Sequence, residues 1–139
     1  MTQSLHPAAQ QGFSSAAERY QQVRPSYPEA LVPWLQQQLG LPHHAQLLDL
    51  GSGTGKFLPQ LKLLSSHILA VDPVAEMLTQ LKQVHPDIPT LQAMSDALPL
   101  ENALMDAVFC AQSFHWFANF DSLKEIHRIL KDQGYLVLI

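Results

Sequence analysis

The sequence predicts an α/β fold, a doubly wound parallel sheet with helices on both faces. Three observations point there. From residue 45 onward, short apolar runs alternate with helical stripes of apolar residues. The runs are apolar on both faces, as strands held between two helix layers must be. The first run, residues 46–50, leads directly into Gly51-Ser-Gly-Thr-Gly55, a glycine loop suited to the carboxyl end of a strand.

The elements follow in chain order. Residues 1–12 are polar, small and unpatterned and read as a loose arm. Residues 13–44 read as a helical segment. Within it, Ser15-x-x-Glu18 is a capping box opening a short helix toward Tyr20. Ser26-x-x-Glu29 is a second box, with Pro28 in the first turn of its helix. That helix carries Leu31, Trp34, Leu35 and Leu39, is kinked or shortened by Pro33, and stops at Gly40.

Residues 45–139 read as the α/β core, forming one domain with 13–44. Its strands are expected at 46–50, 67–71, 89–94, 106–112 and 135–139. A helix over 56–64 places Phe57, Leu61 and Leu64 on one face. Val74, Met77, Leu78 and Leu81 repeat at the i, i+3, i+4, i+7 spacing of a second. Phe120, Leu123, Ile126, His127 and Leu130 give a third stripe, closed by Gly134. No repeat, low-complexity segment or linker interrupts the pattern.

Composition narrows the class. A length of 139 residues suits one core, and 47 % apolar with 14 % charged residues marks a globular chain rather than a disordered one. A net charge of −4 gives no electrostatic footprint for nucleic acid. No apolar run approaches the length of a membrane span. The N-terminus lacks a basic region followed by an apolar core, so no signal peptide is expected. The single Cys110 excludes an internal disulfide and suits a reducing, cytoplasmic setting. It lies in an apolar strand and reads as packing. His43 and His44 are adjacent, and His6, His67, His85 and His127 are scattered, so no metal site is expected.

Right-handed crossovers put ligands at the carboxyl ends of parallel strands. The residues there are 49–55, Asp72, Asp96 and 112–116. Glycines at 51, 53 and 55 let backbone approach a ligand. Asp72, 21 positions after Gly51, offers a carboxylate that accepts two sugar hydroxyls at once. A dinucleotide fingerprint wants its third glycine one position later, where this chain has Lys56. Asp49, at the base of the loop, suits a cationic ligand better than a diphosphate. Simpler readings stay open: a loop that only joins strand to helix, Asp72 as a helix N-cap before Pro73, and Asp96 as a turn residue.

Several segments in the right order carry a resemblance. Leu47-Leu-Asp-Leu-Gly-Ser-Gly-Thr-Gly55 resembles motif I of the class I S-adenosylmethionine-dependent methyltransferases. Ala70-Val-Asp-Pro-Val-Ala-Glu-Met-Leu78 resembles their second strand, its acidic end and the helix after it. Ser95-Asp-Ala-Leu-Pro-Leu100 resembles the loop with an adenine contact. Residues 106–117 resemble the fourth strand and its exit, and 130–138 the turn into the fifth. Phe13-Ser-Ser-Ala-Ala-Glu-Arg-Tyr20 and Arg24-Pro-Ser-Tyr-Pro28 are similar to the opening of the small-molecule group, akin to the ubiquinone and menaquinone biosynthesis and trans-aconitate methyltransferases.

The resemblance implies a Rossmann-like sheet of order 3-2-1-4-5 and S-adenosylmethionine as cofactor. It places Gly51, Ser52, Gly53 and Gly55 in the cofactor-binding loop, with the first three against the methionine part, and Asp49 toward its ammonium. It places Asp72 on the ribose, Pro73 and Met77 near the adenine, Asp96 on the adenine amino group with the Ala97 N–H beside it, and Gln112 under the methionine moiety. The segment 13–44 then caps the pocket, with Tyr20, Arg24 and Tyr27 toward the acceptor and Arg24 able to meet a carboxylate. Phe114 and Trp116 would shape the acceptor pocket, and His115 between them is either the general base or a further wall.

The implied reaction is methyl transfer to a small-molecule acceptor. The sulfonium methyl is already activated, so in-line positioning in a closed site is the main contribution. Two other readings remain: a cofactor-binding fragment without turnover, and an NAD-dependent oxidoreductase, which Lys56 and Asp49 disfavour. Related proteins continue past strand five with a helix and an antiparallel strand pair. Without those strands, the run 135–139 is expected to form an exposed apolar edge, either because the sequence is a fragment of a longer chain, the favoured reading, or because another subunit covers it, and in this form a homodimer through that edge is expected.

Overall fold

The structure, a computed structural model, describes residues 27–139 except Phe117. The arm 1–12, the Ser15–Glu18 capping box, Tyr20, Arg24 and Ser26 lie outside the described residues. The elements are α1 (Leu31–Leu39), β1 (Gln46–Leu50), α2 (Leu58–Leu64), β2 (His67–Asp72), α3 (Ala75–Val84), β3 (Thr90–Gln92), β4 (Met105–Cys110), a 3-10 turn (Phe114–Trp116), α4 (Phe120–Ile129) and β5 (Leu130–Leu138).

The five strands form one sheet of order β3-β2-β1-β4-β5 with every pairing parallel. This is the doubly wound order expected from the sequence. The direction of strand addition reverses between β1 and β4, which opens a crevice above their carboxyl ends. Asp49 sits at the centre, opposite Ala70 of β2 and Phe109 of β4.

Two cores flank the sheet. One joins Val32 and Leu35 of α1, Leu58 and Leu61 of α2, and Leu78 and Leu81 of α3 to Leu47, Ala70 and Phe109. The other joins Ile126 and Ile129 of α4 to Leu48, Leu50, Val71 and Val108. Alternate residues of β1 thus enter opposite cores, Leu47 one and Leu48 the other. That is why the strand reads as continuously apolar.

Several local expectations are corrected. α1 begins at Leu31, so Pro28 precedes it, and Ala30 at the N-cap makes no side-chain capping bond. Pro33 then falls in the first turn, where its missing N–H removes no helical hydrogen bond. The third strand is only Thr90–Gln92 and the fourth ends at Cys110, before Gln112.

The largest difference lies at Gly134, which does not close α4. The helix ends at Ile129, and β5 starts at once with a bulge. Between the pairs Met105–Leu130 and Ala107–Tyr135, β4 advances two positions while β5 advances five. Gln133 takes a positive φ of 63° there. A side chain at Gly134 would meet the Lys131 carbonyl at 3.0 Å and the Asp106 carbonyl at 3.1 Å. The glycine therefore permits close approach of two strands. β5 is an edge strand with Tyr135 40 % and Leu138 53 % exposed.

Candidate functional site

The glycine loop is built mainly by backbone. The N–H groups of Gly51 and Ser52 both donate to the Val71 carbonyl, at 2.8 and 3.0 Å. The Ser52 hydroxyl directs its proton to the carbonyls of Asp49, at 2.8 Å, and Val71, at 3.2 Å. Gly51, Gly53 and Gly55 all have positive φ, at 76°, 57° and 91°. At Gly53 an added Cβ would lie 3.2 Å from the Met77 methyl. At Gly55 it would meet Leu58, Leu81 and His85 at 3.0 to 3.1 Å. Gly53 thus faces the cleft, whereas Gly55 is turned into the core to let the loop settle on α3.

The cleft over these strand ends has about 450 Å³ of empty space, open to solvent. Its walls include Asp49, Gly51, Ser52, Gly53, Met77 and Gln112. Six residues expected at a cofactor site are therefore brought together. Tyr27 also lines it, with its ring edge-on to Phe57 at 5.0 Å. Thr54 lines it too and was not singled out from the sequence, although it lies inside the motif.

Asp49 is 1 % exposed, and its Oδ2 has no hydrogen-bond partner among the described residues. The Thr54 hydroxyl, 1 % exposed, is likewise unpartnered. Burial pushes the Asp49 carboxyl up to about 7, and the negative charge of Asp72 pushes the same way. Cys110 lies behind it, its thiol pushed up to about 12 by burial and by Asp49, which makes it inert packing.

Asp72 is held differently. Its Oδ1 accepts from the Gly53 N–H and its Oδ2 from the Val74 N–H, each at 3.0 Å. Burial raises its pKa, and the bonds from Val74 and Gly53 pull it back. The N-cap position of α3 is Val74, so Asp72 ties the glycine loop to the helix entry rather than occupying the cap. Each carboxylate oxygen retains a further acceptor site.

The remaining expected residues do not line this cleft. Pro73 is half-buried, and its carbonyl accepts from Gln92 at 3.1 Å. Asp96 is half-buried in the loop after β3, and Ala97 is exposed with its N–H on the Met94 carbonyl at 3.2 Å. Phe114 and Trp116 pack toward the α4 core. His115 is exposed, its ring 4.6 Å from that of Trp116.

α4 pins the loop that carries Asp96. The Arg128 guanidinium donates to the carbonyls of Leu98 and Leu100, at 2.8 and 2.7 Å, and to Glu125. Glu125 in turn accepts from the Leu98 N–H at 2.7 Å, and Ser122 shares a 2.7 Å bond with Ser95. Asn119 caps the helix through the Ser122 N–H at 2.8 Å. The sequence signals were Asn119-x-x-Ser122 and the Glu125–Arg128 spacing, both of which look like ordinary helix features. Among the described residues no cluster of His, Cys, Asp or Glu could hold a metal, and no helix is long and apolar enough to cross a membrane.

With this geometry in place, comparison with known proteins is specific. A family model described as a methyltransferase domain matches residues 48–138. An uncharacterised methyltransferase-like protein of Schizosaccharomyces pombe is 39 % identical over 130 residues, covering 91 % of this chain and 50 % of that protein. An uncharacterised methyltransferase of Mycobacterium tuberculosis is 38 % identical over 128 residues, covering 91 % and 51 %. The chain spans about half the length of these curated relatives. A solved S-adenosylmethionine-dependent methyltransferase from Aquifex aeolicus shares the fold, with a TM-score of 0.73 at 22 % identity, over 90 % of this chain and 71 % of that one. The chain belongs to the methyltransferase-domain family.

Proposed function

We propose that this chain is the cofactor-binding core of a methyltransferase that passes a methyl group in line to a small-molecule acceptor. The observation that carries the cofactor's placement is the buried, unpartnered Oδ2 of Asp49 in the cleft wall. A carboxylate so placed needs a donor, and a ligand's ammonium group supplies one. Gly51, Ser52, Gly53 and Gln112 bound the space for a methionine part, with Gly55 supporting the loop from the core side. Asp72 accepts the ribose hydroxyls through its remaining lone pairs. Pro73 and Met77, at the entry to and within α3, receive the adenine together with Asp96 and Ala97 on the loop that Arg128 fixes.

S-adenosylmethionine supplies a methyl already activated on a sulfonium. The protein's part is positioning and exclusion of water. Tyr27, together with Tyr20 and Arg24, forms the cap over the acceptor, so that 13–44 and 45–139 act as one domain. His115 is the base where an acceptor must lose a proton, with Phe114 and Trp116 shaping its surroundings. The protein acts in the cytoplasm without nucleic acid, and the exposed edge of β5 pairs with a second copy.

Calorimetry with S-adenosylmethionine and with NAD tests the reading. Saturable binding of the first, tighter than any of the second, is expected. Tighter NAD binding overturns it. A methyl-transfer assay on a panel of small acceptors separates the enzyme from a chain that only binds. Binding without product from any acceptor would leave the cofactor role and remove the catalytic one.

A further inference from the structure

Asp49 stands apart from the other acidic groups of the cleft. It is at the sheet centre, 1 % exposed, lines the cavity, and has one oxygen without a hydrogen-bond partner among the described residues. From β2 it faces the second buried carboxylate, Asp72. From β4 it faces the Cys110 thiol, which stays neutral through the physiological range. From the glycine loop come two hydroxyls and one cation. The Ser52 hydroxyl donates to carbonyls, the Thr54 hydroxyl is free, and Lys56 lines the same cleft. α3 contributes the uncharged Met77, and its C-terminal His85 packs behind Gly55. Tyr27 and Phe57 close the remaining wall.

A bare carboxylate in this position would be buried, beside a like charge and with one oxygen unpartnered among the described residues, which disfavours ionisation and outweighs the opposing pull of the Ser52 hydroxyl. We propose that Asp49 carries a proton in the ligand-free cleft and releases it to solvent when a cationic ligand head enters. The cleft then selects ligands by charge, and its affinity for them is set by pH. The inference rests on the cofactor reading above, because the ammonium of S-adenosylmethionine is the head group invoked.

The balance is simple. One proton leaves the Asp49 carboxyl for buffer, and the carboxylate forms a charge-assisted bond with the ammonium N–H. The Asp49 carboxyl of the free protein titrates at about 7. Affinity for an ammonium-bearing ligand therefore rises roughly tenfold per pH unit well below that point and levels off near it. A ligand with the same adenosine part but no ammonium gains nothing from the ionised form.

The test is calorimetry between pH 5.5 and 7 in two buffers of different ionisation enthalpy. Three titrations are compared: S-adenosylmethionine on the native chain, 5′-methylthioadenosine on the native chain, and S-adenosylmethionine on Asp49→Asn. The first is expected to release roughly 0.9 proton per site at pH 6 and to tighten with pH. The second is expected to show neither effect. The Asn variant is expected to bind more weakly at pH 7, with no proton release, which also separates Asp49 from His85. Proton release equal for both ligands, or unchanged in the variant, would overturn the inference. Should the variant not fold, the two ligands on the native chain decide alone. S-adenosylmethionine binding of constant affinity across this range removes the proton linkage only. Absence of its binding at every pH removes the cofactor reading together with the linkage.

Discussion

β1 and β2 lie side by side and each carries a buried aspartate at its carboxyl end, Asp49 next to last in β1 and Asp72 last in β2, yet the two carboxylates stand in opposite circumstances. At the β2 exit, both oxygens of Asp72 are engaged by backbone N–H groups that come from the glycine loop and the entry to α3. At the β1 exit, Asp49 lines the cleft and leaves one oxygen without a partner among the described residues. The first carboxylate is structural, because it ties the glycine loop to the entry of α3. The second is buried with one oxygen unpartnered among the described residues, which disfavours its ionised form. The two aspartates thus differ in whether the surrounding backbone satisfies them.

Replacing each breaks the comparison in opposite directions. Asp72→Ala strips acceptors from two N–H groups, and a loss of about 3 kcal/mol in urea denaturation is expected, together with loss of cofactor binding. Unchanged stability would mean that the loop does not depend on Asp72. Asp49→Asn is expected to stabilise the free protein by about 2 kcal/mol at pH 8. The sign follows from the raised pKa. The folded state holds the Asp49 proton up to about 7, the unfolded chain only to the ordinary carboxyl range near 3.8. Stability from this group is full below the lower value and is lost as pH rises through the upper one. Native protein should therefore lose stability between pH 4 and 7, and the variant should lose less. Equal slopes in a denaturation series across that range would contradict the assignment.

A smaller contrast separates two glycines of one loop. Gly55→Ala places a Cβ among three core side-chain atoms at 3.0 to 3.1 Å and at a φ of 91°. It is expected to cost about 2 kcal/mol, seen as a lower thermal midpoint, because core packing against α3 must shift. A midpoint unchanged within error would show that the loop relaxes freely. The smallest effect is expected at Gln112, which holds a positive φ of 55° at the β4 exit while its N–H donates to the Ile139 carbonyl at 2.8 Å. Gln112→Gly should raise stability by about 0.5 kcal/mol by relieving that backbone strain. A fall in stability would assign the Gln112 side chain a packing role.

Much of this was legible in the residues. The alternation of apolar runs and helical stripes carried the parallel, doubly covered sheet, because inner strands such as β1 and β4 are buried on both faces and cannot alternate, while the strand order came with the family resemblance. Gly51, Gly53 and Asp49 were legible as neighbours, since each lies at or just after a strand end, whereas Met77, inside α3, was placed only by the family resemblance. Gly55 was read with the ligand loop, but spacing alone does not say which way a glycine's missing side chain points. The bulge at 131–134 was hidden for a similar reason. Gly134 looks like a helix stop, and only the approach of the Asp106 carbonyl reveals a contact between strands. The Arg128 clamp joins residues about 30 positions apart, a separation at which local pattern carries no information. Phe114 and Trp116 were read as pocket walls from their place after β4, yet the 3-10 turn sends both toward the α4 core.

The most direct measurement is a crystal structure of this chain with S-adenosylmethionine bound near neutral pH. The account predicts the ligand's ammonium within hydrogen-bond distance of Asp49 Oδ2 and its ribose hydroxyls on Asp72, with the loop at Gly53 unmoved. A ligand seated with its carboxylate toward Asp49, or density lying away from the cleft above Gly51, would contradict it.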